Sequence, residues 1–411
     1  MAIWTNLPFE VMLLIYCYLP SQDRFSLSLT CKQFLSLLMH PKIWHGTHFQ
    51  VNIRNKESKL RTPDKVLNAL RSLTVDFSDP EKPDARCNLR MRRILTSLER
   101  VGNNSLESMS IISLNVNMKN LNHLKTVFEF QRKLKHFSLY RFGICYSCVA
   151  ELLTRVLMNC ADKLERLEVR DEVFDIVERD KLRLPEVLSR LMRLSELSVS
   201  YEFISDALLS RLPRTLQIIR IWSTTVDGNV DDIDEDLSQS WHSLTARLPT
   251  LRVEYHISEI YDVVYLMNII PGEVPLSCLY WQSKRYNIKR NWQTNRYNIK
   301  RNTAGCFKYI MENFHNLLEL HINVCVNLFI EKELATTLER FPVLETFSIC
   351  QKPRTKSFSV EDLQQALGNM LARCPNRRLT NTSITITHRF KDSVNVITVK
   401  DWTASVEDVA H

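Results

Sequence analysis

Residues that could perform chemistry are scattered along this 411-residue chain rather than grouped at the spacings of catalytic or metal sites. Of its 11 cysteines, only Cys145-x-x-Cys148 has metal or redox spacing. It lacks both a second pair and histidines at zinc-finger distance. We interpret it as two thiols near the start of a helix. The start of the chain has no signal-like apolar core, so we expect the protein in the cytoplasm and/or nucleus. In an intracellular chain, an odd and irregular set of cysteines indicates reduced, mostly buried thiols.

Glycine spacing excludes the phosphate-binding loops of nucleotide enzymes. The chain has seven glycines, and the closest two, Gly272 and Gly305, are 33 residues apart. A phosphate loop needs several glycines within about six residues. Neither Gly-x-Ser-x-Gly nor His-Glu-x-x-His occurs. The sequence therefore predicts no catalytic residues, no metal ligands, no cofactor and no enzymatic activity.

Two charged inserts interrupt the chain. Residues 227–236 include six acidic side chains, but their single glycine is misplaced for a calcium loop. Residues 284–302 contain a duplicated Arg-Tyr-Asn-Ile-Lys-Arg-Asn and seven basic side chains. Basic residues interleaved with aromatics could grip single-stranded nucleic acid, although a solvated insert is the simpler interpretation. The net charge of +8 permits an acidic partner without requiring nucleic acid.

The N-terminal 44 residues have the apolar spacing of short helices. The first helix presents one apolar face made of Leu7, Val11, Leu14, Ile15, Tyr18 and Leu19. Pro20 ends it, and Ser21 offers an N-cap for the next helix. Three short helices cannot bury this many large side chains among themselves. We expect part of the face to meet a partner chain or the rest of this chain.

The same stretch resembles an F-box, in order and without gaps. The matching residues are Leu7-Pro8-x-Glu10-Val11, Leu14-Ile15, Tyr18-Leu19-Pro20, Asp23, Leu27-x-Leu29-x-Cys31-Lys32-x-Phe34 and Pro41-x-x-Trp44. Phe34 replaces the tryptophan of many members, and Thr30 replaces a frequent valine. The resemblance implies docking onto a Skp-type adaptor and, through it, cullin and RING subunits of a ubiquitin ligase. It implies adaptor contacts at Leu7, Pro8, Ile15, Leu19, Leu29 and Cys31.

A repeat, Leu-x-x-apolar-x-apolar, follows the helices. Its copies begin at Leu106, Leu134, Leu164, Leu194, Leu216, Leu276, Leu317 and Leu344, with a degenerate copy at Leu251. Helix-like stretches precede most copies, at residues 148–159, 184–192, 206–212, 238–248 and 331–341. Such units must stack to share a core. The pattern is similar to a leucine-rich repeat, but the Asn or Cys expected after each strand is present only as Cys325. We therefore expect an irregular solenoid.

The predicted fold is thus α/β, with an all-helical F-box followed by an irregular leucine-rich-repeat solenoid (horseshoe). Residues 383–388 and 394–399 alternate as a β-hairpin that caps the last repeat, and the tail beyond Trp402 is expected to be loose. The predicted domains are the F-box at 1–48, a linker and N-terminal cap at 49–103, the array at 104–379, and the hairpin and tail at 380–411.

Side chains between the apolar anchors of each strand should face outward on the concave side of the array. Among them, the predicted target-binding residues are Tyr140, Arg166, Arg170, Arg220, Trp222 and His321. Trp222 is the strongest candidate, because an exposed tryptophan is costly without a purpose. The three arginines could also receive a phosphate group.

The resemblance to an F-box followed by leucine-rich repeats implies a non-catalytic substrate-recognition subunit of an SCF-type ubiquitin ligase. It would bind a Skp-type adaptor through the F-box and an unknown target protein through the repeats. The alternative is an adaptor-independent repeat scaffold that binds a protein or single-stranded nucleic acid. The longest apolar run, Val11 to Pro20, is shorter than the roughly 20 residues of a membrane span, so no membrane contact is expected.

Overall fold

A computed structural model describes sixteen segments of the chain. They are residues 7–45, 48–52, 70–76, 92–93, 95–100, 105–112, 118–140, 146–170, 183–224, 237–258, 263–282, 305–323, 340–351, 383–390, 393–400 and 403–409. The chain divides into two compact units. The first unit comprises Met1–Ser198 and Arg211–Leu216, and the second unit comprises Val199–Ser210 and Gln217–His411. The two charged inserts and Cys145 lie outside the described residues.

Short helices open the first unit. They are α1 (Phe9–Tyr18), α2 (Ser21–Ser28), α3 (Lys32–Leu38) and α4 (Pro41–His45). Pro8 and Pro20 are the N-cap residues of α1 and α2, positions that suit proline because the first N–H groups of a helix have no intrahelical partner. Three predicted helices are therefore confirmed, and Pro41 opens a fourth instead of only closing the third.

Parallel strands follow in the first unit. They are β1 (His48–Asn52), β2 (Ser72–Asp76), β3 (Ser108–Ile112), β4 (His136–Tyr140) and β5 (Arg166–Arg170), with β6 (Glu196–Ser200) at the unit boundary. Each of β1 to β4 pairs in parallel with the next strand along the chain. The segment predicted as linker and N-terminal cap thus contains two strands. The second matches the repeat that we assigned only from Leu106 onward: Leu70-x-x-Leu73-x-Val75.

The second unit continues the pattern with strands of five to seven residues. They are β7 (Ile218–Thr224), β8 (Arg252–Ser258), β9 (Leu276–Gln282), β10 (Glu319–Asn323) and β11 (Thr346–Gln351). Consecutive strands again pair in parallel, with one irregularity of register at Val253/Glu254 between β8 and β9. Every predicted repeat copy, including the degenerate one at Leu251, leads into a strand.

The C-terminus is antiparallel. Strand β12 (Ser383–Phe390) pairs in parallel with β11, then β13 (Ser393–Lys400) turns back against it, which confirms the predicted hairpin. The prediction of a loose tail beyond Trp402 was wrong. Strand β14 (Thr403–Val409) pairs antiparallel with β13 over its whole length. An edge strand exposes unpaired N–H and C=O groups, and β14 satisfies those of β13.

Helices connect many of the strands. Those with defined bounds are Met118–Phe130, Tyr146–Cys160, Leu184–Leu188, Asp206–Arg211, Ser238–Arg247 and Val263–Ile269, and residues 305–313 are also helical. Four of the five predicted stretches are confirmed; most of 331–341 lies outside the described residues. Among the helices of the described segments, none is long and apolar enough to cross a membrane.

The helices cover one face of the strands in each unit. In the first, Phe137 of β4 packs edge-on against Phe128, with ring centroids 5.4 Å apart. In the second, the buried Tyr255 hydroxyl of β8 donates to the Ile269 carbonyl at 3.1 Å. Side chains alternate between faces along a strand. Residues between these buried ones therefore lie on the other side, which we call the outer face.

Candidate functional site

Helix α1 has two apolar faces, and only one is used inside the chain. Met12, Leu13 and Tyr16 are buried. Leu14 and Tyr18 are 58% and 83% exposed, and Val11, one turn earlier, is also exposed. Spacings of three and four residues place these side chains in one stripe along the helix. We call Val11, Leu14 and Tyr18 the α1 stripe. An exposed apolar stripe on a short helix marks an interaction surface.

The residues assigned to adaptor contact differ in exposure. Leu29, the C-cap residue of α2, is 74% exposed, and Pro8 is also exposed. The remaining ones are partly buried: Leu7, Ile15, Leu19 and Cys31. Cys31 has a local role as well, because its sulfur caps α3 by accepting from the Phe34 N–H at 3.5 Å. The contact assignments themselves stay predictions.

Arg24 holds the α1–α4 domain together and was missed in the sequence. Its buried guanidinium donates to three backbone carbonyls, those of Leu19, Ile43 and Cys17, at 2.7, 2.7 and 2.8 Å. It also lies 5.7 Å from the ring centroid of Trp44. Burial lowers its pKa from the usual value. A signal existed, since Arg24 is the only arginine among residues 1–45.

On the outer face of the first unit, Glu168 gathers three polar side chains. The Tyr140 hydroxyl and the Ser138 hydroxyl donate to its carboxylate, and Arg170 forms an ion pair with it at 2.8 Å. The Arg170 guanidinium lies 4.2 Å from the Tyr140 ring centroid. Burial and the Glu168 contact raise the pKa of Tyr140. This cluster unites two predicted target-binding residues, Tyr140 and Arg170.

Four rings stack across β7, β8, β9 and β10 on the outer face of the second unit. Trp222, His256, Tyr280 and His321 occupy matching register positions. Successive ring centroids are 3.8, 4.4 and 4.4 Å apart, and the planes differ by 9°, 1° and 3°. We call these residues the aromatic ladder. Each strand contributes one ring, so the sheet itself sets the stacking distance.

An ion-pair network lies beside the aromatic ladder. Glu254 accepts from the Arg220 Nε–H at 2.8 Å and forms an ion pair with Arg252 at 2.9 Å. Arg252 also reaches Glu319 at 2.8 Å, and Glu319 accepts from the Tyr280 hydroxyl at 2.9 Å. Burial alone would raise the pKa of Glu319, but the contacts with Tyr280 and Arg252 outweigh it and lower the pKa. Through Tyr280 the network fixes the ladder.

The structure thus brings some predicted target-binding residues together. Trp222 and His321 belong to one ladder, and Arg220 lies in the adjacent row. Arg166 instead pairs with Glu196 at 2.7 Å. The three arginines proposed as a phosphate receiver each have a glutamate partner: Arg166, Arg170 and Arg220. These carboxylates would repel a phosphate, which weighs against that hypothesis.

Two rings of the ladder, His256 and Tyr280, were not predicted from the sequence as part of a binding site. The same holds for two residues of the ion-pair network, Arg252 and Glu254. The ladder rings come six, five, four and four residues after the leucine that opens their repeats. Counting from the repeat therefore does not align them. The register irregularity between β8 and β9 accounts for part of this mismatch. Among the described residues, no group of three or more His, Cys, Asp or Glu could hold a metal ion.

Residues 4–50 match the F-box-like family. The N-terminal helices with their α1 stripe are therefore an F-box-like domain, as the sequence predicted. The match includes α1 to α4 and the start of β1. A comparison with curated proteins finds no match.

Two solved structures are similar in part. The leucine-rich repeat-containing protein LegL7 from Legionella pneumophila is 10% identical, with 84% of this chain and 91% of that chain covered and a TM-score of 0.39. The structure of a TLR13–ssRNA13 complex is 13% identical, with 75% of this chain and 43% of that chain covered and a TM-score of 0.31. The leucine-rich-repeat-like fold follows from the consecutive parallel strands and their helices.

Proposed function

We propose that this protein is a non-catalytic substrate-recognition subunit of an SCF-type ubiquitin ligase. The observation that carries the proposal is the α1 stripe within an F-box-like domain. Val11, Leu14 and Tyr18 remain exposed while the other face of α1 fills the domain core. Exposed leucine and tyrosine side chains in one stripe suit a helical partner such as a Skp-type adaptor.

The rest of the chain would then bind a target protein on the outer faces of the strands. Cullin and RING subunits, reached through the adaptor, would bring a ubiquitin-charged enzyme beside that target. The rate gain in such an assembly comes from effective concentration, because the reacting groups are held near each other. No catalytic side chain is needed in this chain.

The cytoplasm and/or nucleus are the proposed compartments. Within the described segments, Cys17, Cys31, Cys160 and Cys278 have free thiols. Reduced cysteines are typical of these compartments.

The test is co-purification of the full chain with a Skp-type adaptor. We expect wild type to form a 1:1 complex and a Leu14→Asp/Tyr18→Ala variant to lose it. Burial of one large apolar side chain contributes about 1.5–3 kcal/mol, so the double variant should bind at least about 100-fold more weakly. A Leu7→Ala/Pro8→Ala variant tests the contacts assigned from the F-box resemblance.

The matched control is Met158→Asp. Met158 is 65% exposed but lies on the helix Tyr146–Cys160, outside the F-box-like domain. Its substitution removes a comparable exposed apolar side chain and should leave adaptor affinity unchanged. Absence of adaptor binding by wild type, or equal binding by wild type and the α1-stripe variant, would refute the proposal.

A further inference from the structure

The aromatic ladder ends at His321, on β10. Its four rings come from the consecutive strands β7 to β10. Strand β11 pairs residue for residue with β10, and the residue opposite His321 is Ser348. Serine has no ring, and the residue opposite it on β12 is Thr385, which has none either. The row of matching positions therefore changes at this point from aromatic rings to short hydroxyl side chains.

The His321 ring is anchored by Tyr280 and Glu319. It stacks on Tyr280, with centroids 4.4 Å apart and planes that differ by 3°, and its Nε2 lies 3.5 Å from the Glu319 carboxylate. The side chain is nevertheless 28% exposed. On the face of the imidazole towards β11, no ring from the described segments lies against it. We call this face, together with the position above Ser348, the stacking ledge.

The spacing of the strands suits one more ring on the stacking ledge. Neighbouring strands lie about 4.7–4.9 Å apart, close to the 4.4 Å between the last two ring centroids of the ladder. A planar group above Ser348 would therefore continue the ladder at nearly the same interval. It would meet a ring whose orientation is already set by Tyr280 and Glu319, and a preorganised surface lowers the entropy cost of binding.

The charges beside the stacking ledge favour an uncharged planar group. Glu319 already accepts from Arg252 at 2.8 Å and from the Tyr280 hydroxyl at 2.9 Å. Glu254 is likewise paired with Arg220 at 2.8 Å. A guanidinium on the ledge would compete with ion pairs that are already formed, and a nucleic acid is bound through an excess of cations that this balanced network does not supply. An aromatic side chain requires neither.

We propose that the stacking ledge binds an aromatic side chain of the target protein. The ring of a tyrosine, phenylalanine or tryptophan lies over Ser348 and stacks on His321 as the fifth ring of the ladder. Recognition depends on the shape of the ring, because the charges beside the ledge are already matched. The inference deepens the receptor role proposed above and rests on it.

The probe is a displayed library of random 12-residue peptides, depleted on a Ser348→Phe variant and then panned against the purified full chain. In that variant the chain supplies the fifth ring itself, so depletion removes peptides that bind elsewhere. We expect at least a twofold excess of Tyr, Phe and Trp in the selected pool over the starting library. The most enriched peptide is then synthesised with a fluorescein label and titrated by anisotropy. Replacing its aromatic residue by leucine, which is apolar but has no ring, should weaken binding about threefold to tenfold.

Variants locate the binding surface. His321→Ala removes the ring on which the ligand stacks and should weaken peptide binding about tenfold, whereas His321→Phe keeps a ring and should stay within about twofold of wild type. Ser348→Phe fills the stacking ledge and should reduce binding below detection, whereas Ser348→Ala leaves it open and should bind like wild type. The matched control is Ser110→Phe, which adds the same ring to an outer-face serine of the first unit. It should also bind the peptide like wild type.

Three results would overturn the inference. They are a selected pool without aromatic enrichment, peptide affinity that is unchanged in both His321→Ala and Ser348→Phe, and displacement of the peptide by a 20-nucleotide deoxythymidine strand. Adaptor binding is measured on the same preparations and should be equal in wild type and Ser348→Phe. Wild type that binds the adaptor but selects no aromatic peptides refutes this inference alone, whereas wild type that selects them but binds no adaptor refutes the receptor role.

Discussion

Replacing Arg24 by methionine should unfold the F-box-like domain while leaving the repeats folded. The buried guanidinium donates to the carbonyls of Leu19, Ile43 and Cys17. Methionine fills part of the volume but makes none of these bonds. Each bond to a charged donor contributes about 1.5–3 kcal/mol, a gross sum of roughly 4.5–9 kcal/mol. Desolvation of the cation offsets part of it, and we expect a net loss of about 3–5 kcal/mol.

A loss of this size lowers the folding equilibrium constant by two to four orders of magnitude, at about 1.4 kcal/mol per tenfold. A domain of about 45 residues is marginally stable, so most molecules should have an unfolded α1–α4 region. Amide hydrogen exchange with mass spectrometry measures this directly. Peptides covering 9–45 should exchange rapidly in Arg24→Met, while peptides covering 136–170 should keep their wild-type protection. Adaptor binding should fall in parallel.

The matched control is Lys42→Ala, which removes an exposed cation from α4. Its exchange should follow that of wild type. Wild-type protection over 9–45 in Arg24→Met would contradict the prediction, because the three carbonyls would then have found other donors at little cost. Equal loss of protection in the domain and in the repeats would also contradict it, since it would show that the domain does not unfold by itself.

Three further outcomes follow from titratable groups whose pKa is shifted in the folded state. Burial raises the pKa of Tyr16 to about 12, so the folded state holds the phenol proton more tightly than the unfolded state, and stability is lost as pH rises from about 10 towards 12. The variant Tyr16→Phe should not show this loss of stability at alkaline pH. Urea unfolding followed by circular dichroism measures it. The contacts of Glu319 lower its pKa on balance, so its ionised carboxylate stabilises the folded state above the ordinary pKa of about 4.5, and this stabilisation is lost as pH falls below that value. The free energy of unfolding of Glu319→Gln should therefore depend less on pH than that of wild type between pH 5.5 and 3.5. Burial raises the pKa of Cys278 to about 12, so iodoacetamide at pH 8 should alkylate Cys17 well before Cys278, as judged by mass spectrometry.

The sequence predicted the strands well because each repeat buries its apolar anchors in a fixed alternation. Leu134, Phe137 and Leu139 are all buried, as the pattern requires. The same rule could have found β2, whose Leu70-x-x-Leu73-x-Val75 is equally buried. Strand β1 keeps only Phe49-x-Val51 of this pattern, because Gly46 occupies the position of the opening leucine, and Phe49 and Val51 pair with the anchors Leu73 and Val75 of β2.

Exposure and register were harder to predict. Helical spacing identified the α1 stripe, but α1 is apolar on two sides, and periodicity alone does not say which side packs inside. The ladder depends on which residue of one strand lies opposite which residue of the next. The shift between Val253 and Glu254 changes that pairing without any trace in the repeat count. Charge partners such as Glu254 for Arg220 were hidden for the same reason.

Because strands β7 to β11 each pair with their neighbours along the chain, the connections between them are free to change length. The duplicated Arg-Tyr-Asn-Ile-Lys-Arg-Asn lies between β9 and β10 and lengthens that interval to 41 residues, where removal of 11 would restore 30. Closing the longer connection costs only about 0.3 kcal/mol more in chain entropy. Strands β9 and β10 still pair residue for residue. Such an architecture can acquire new loop segments by tandem duplication during evolution, with the framework that presents the ladder left intact.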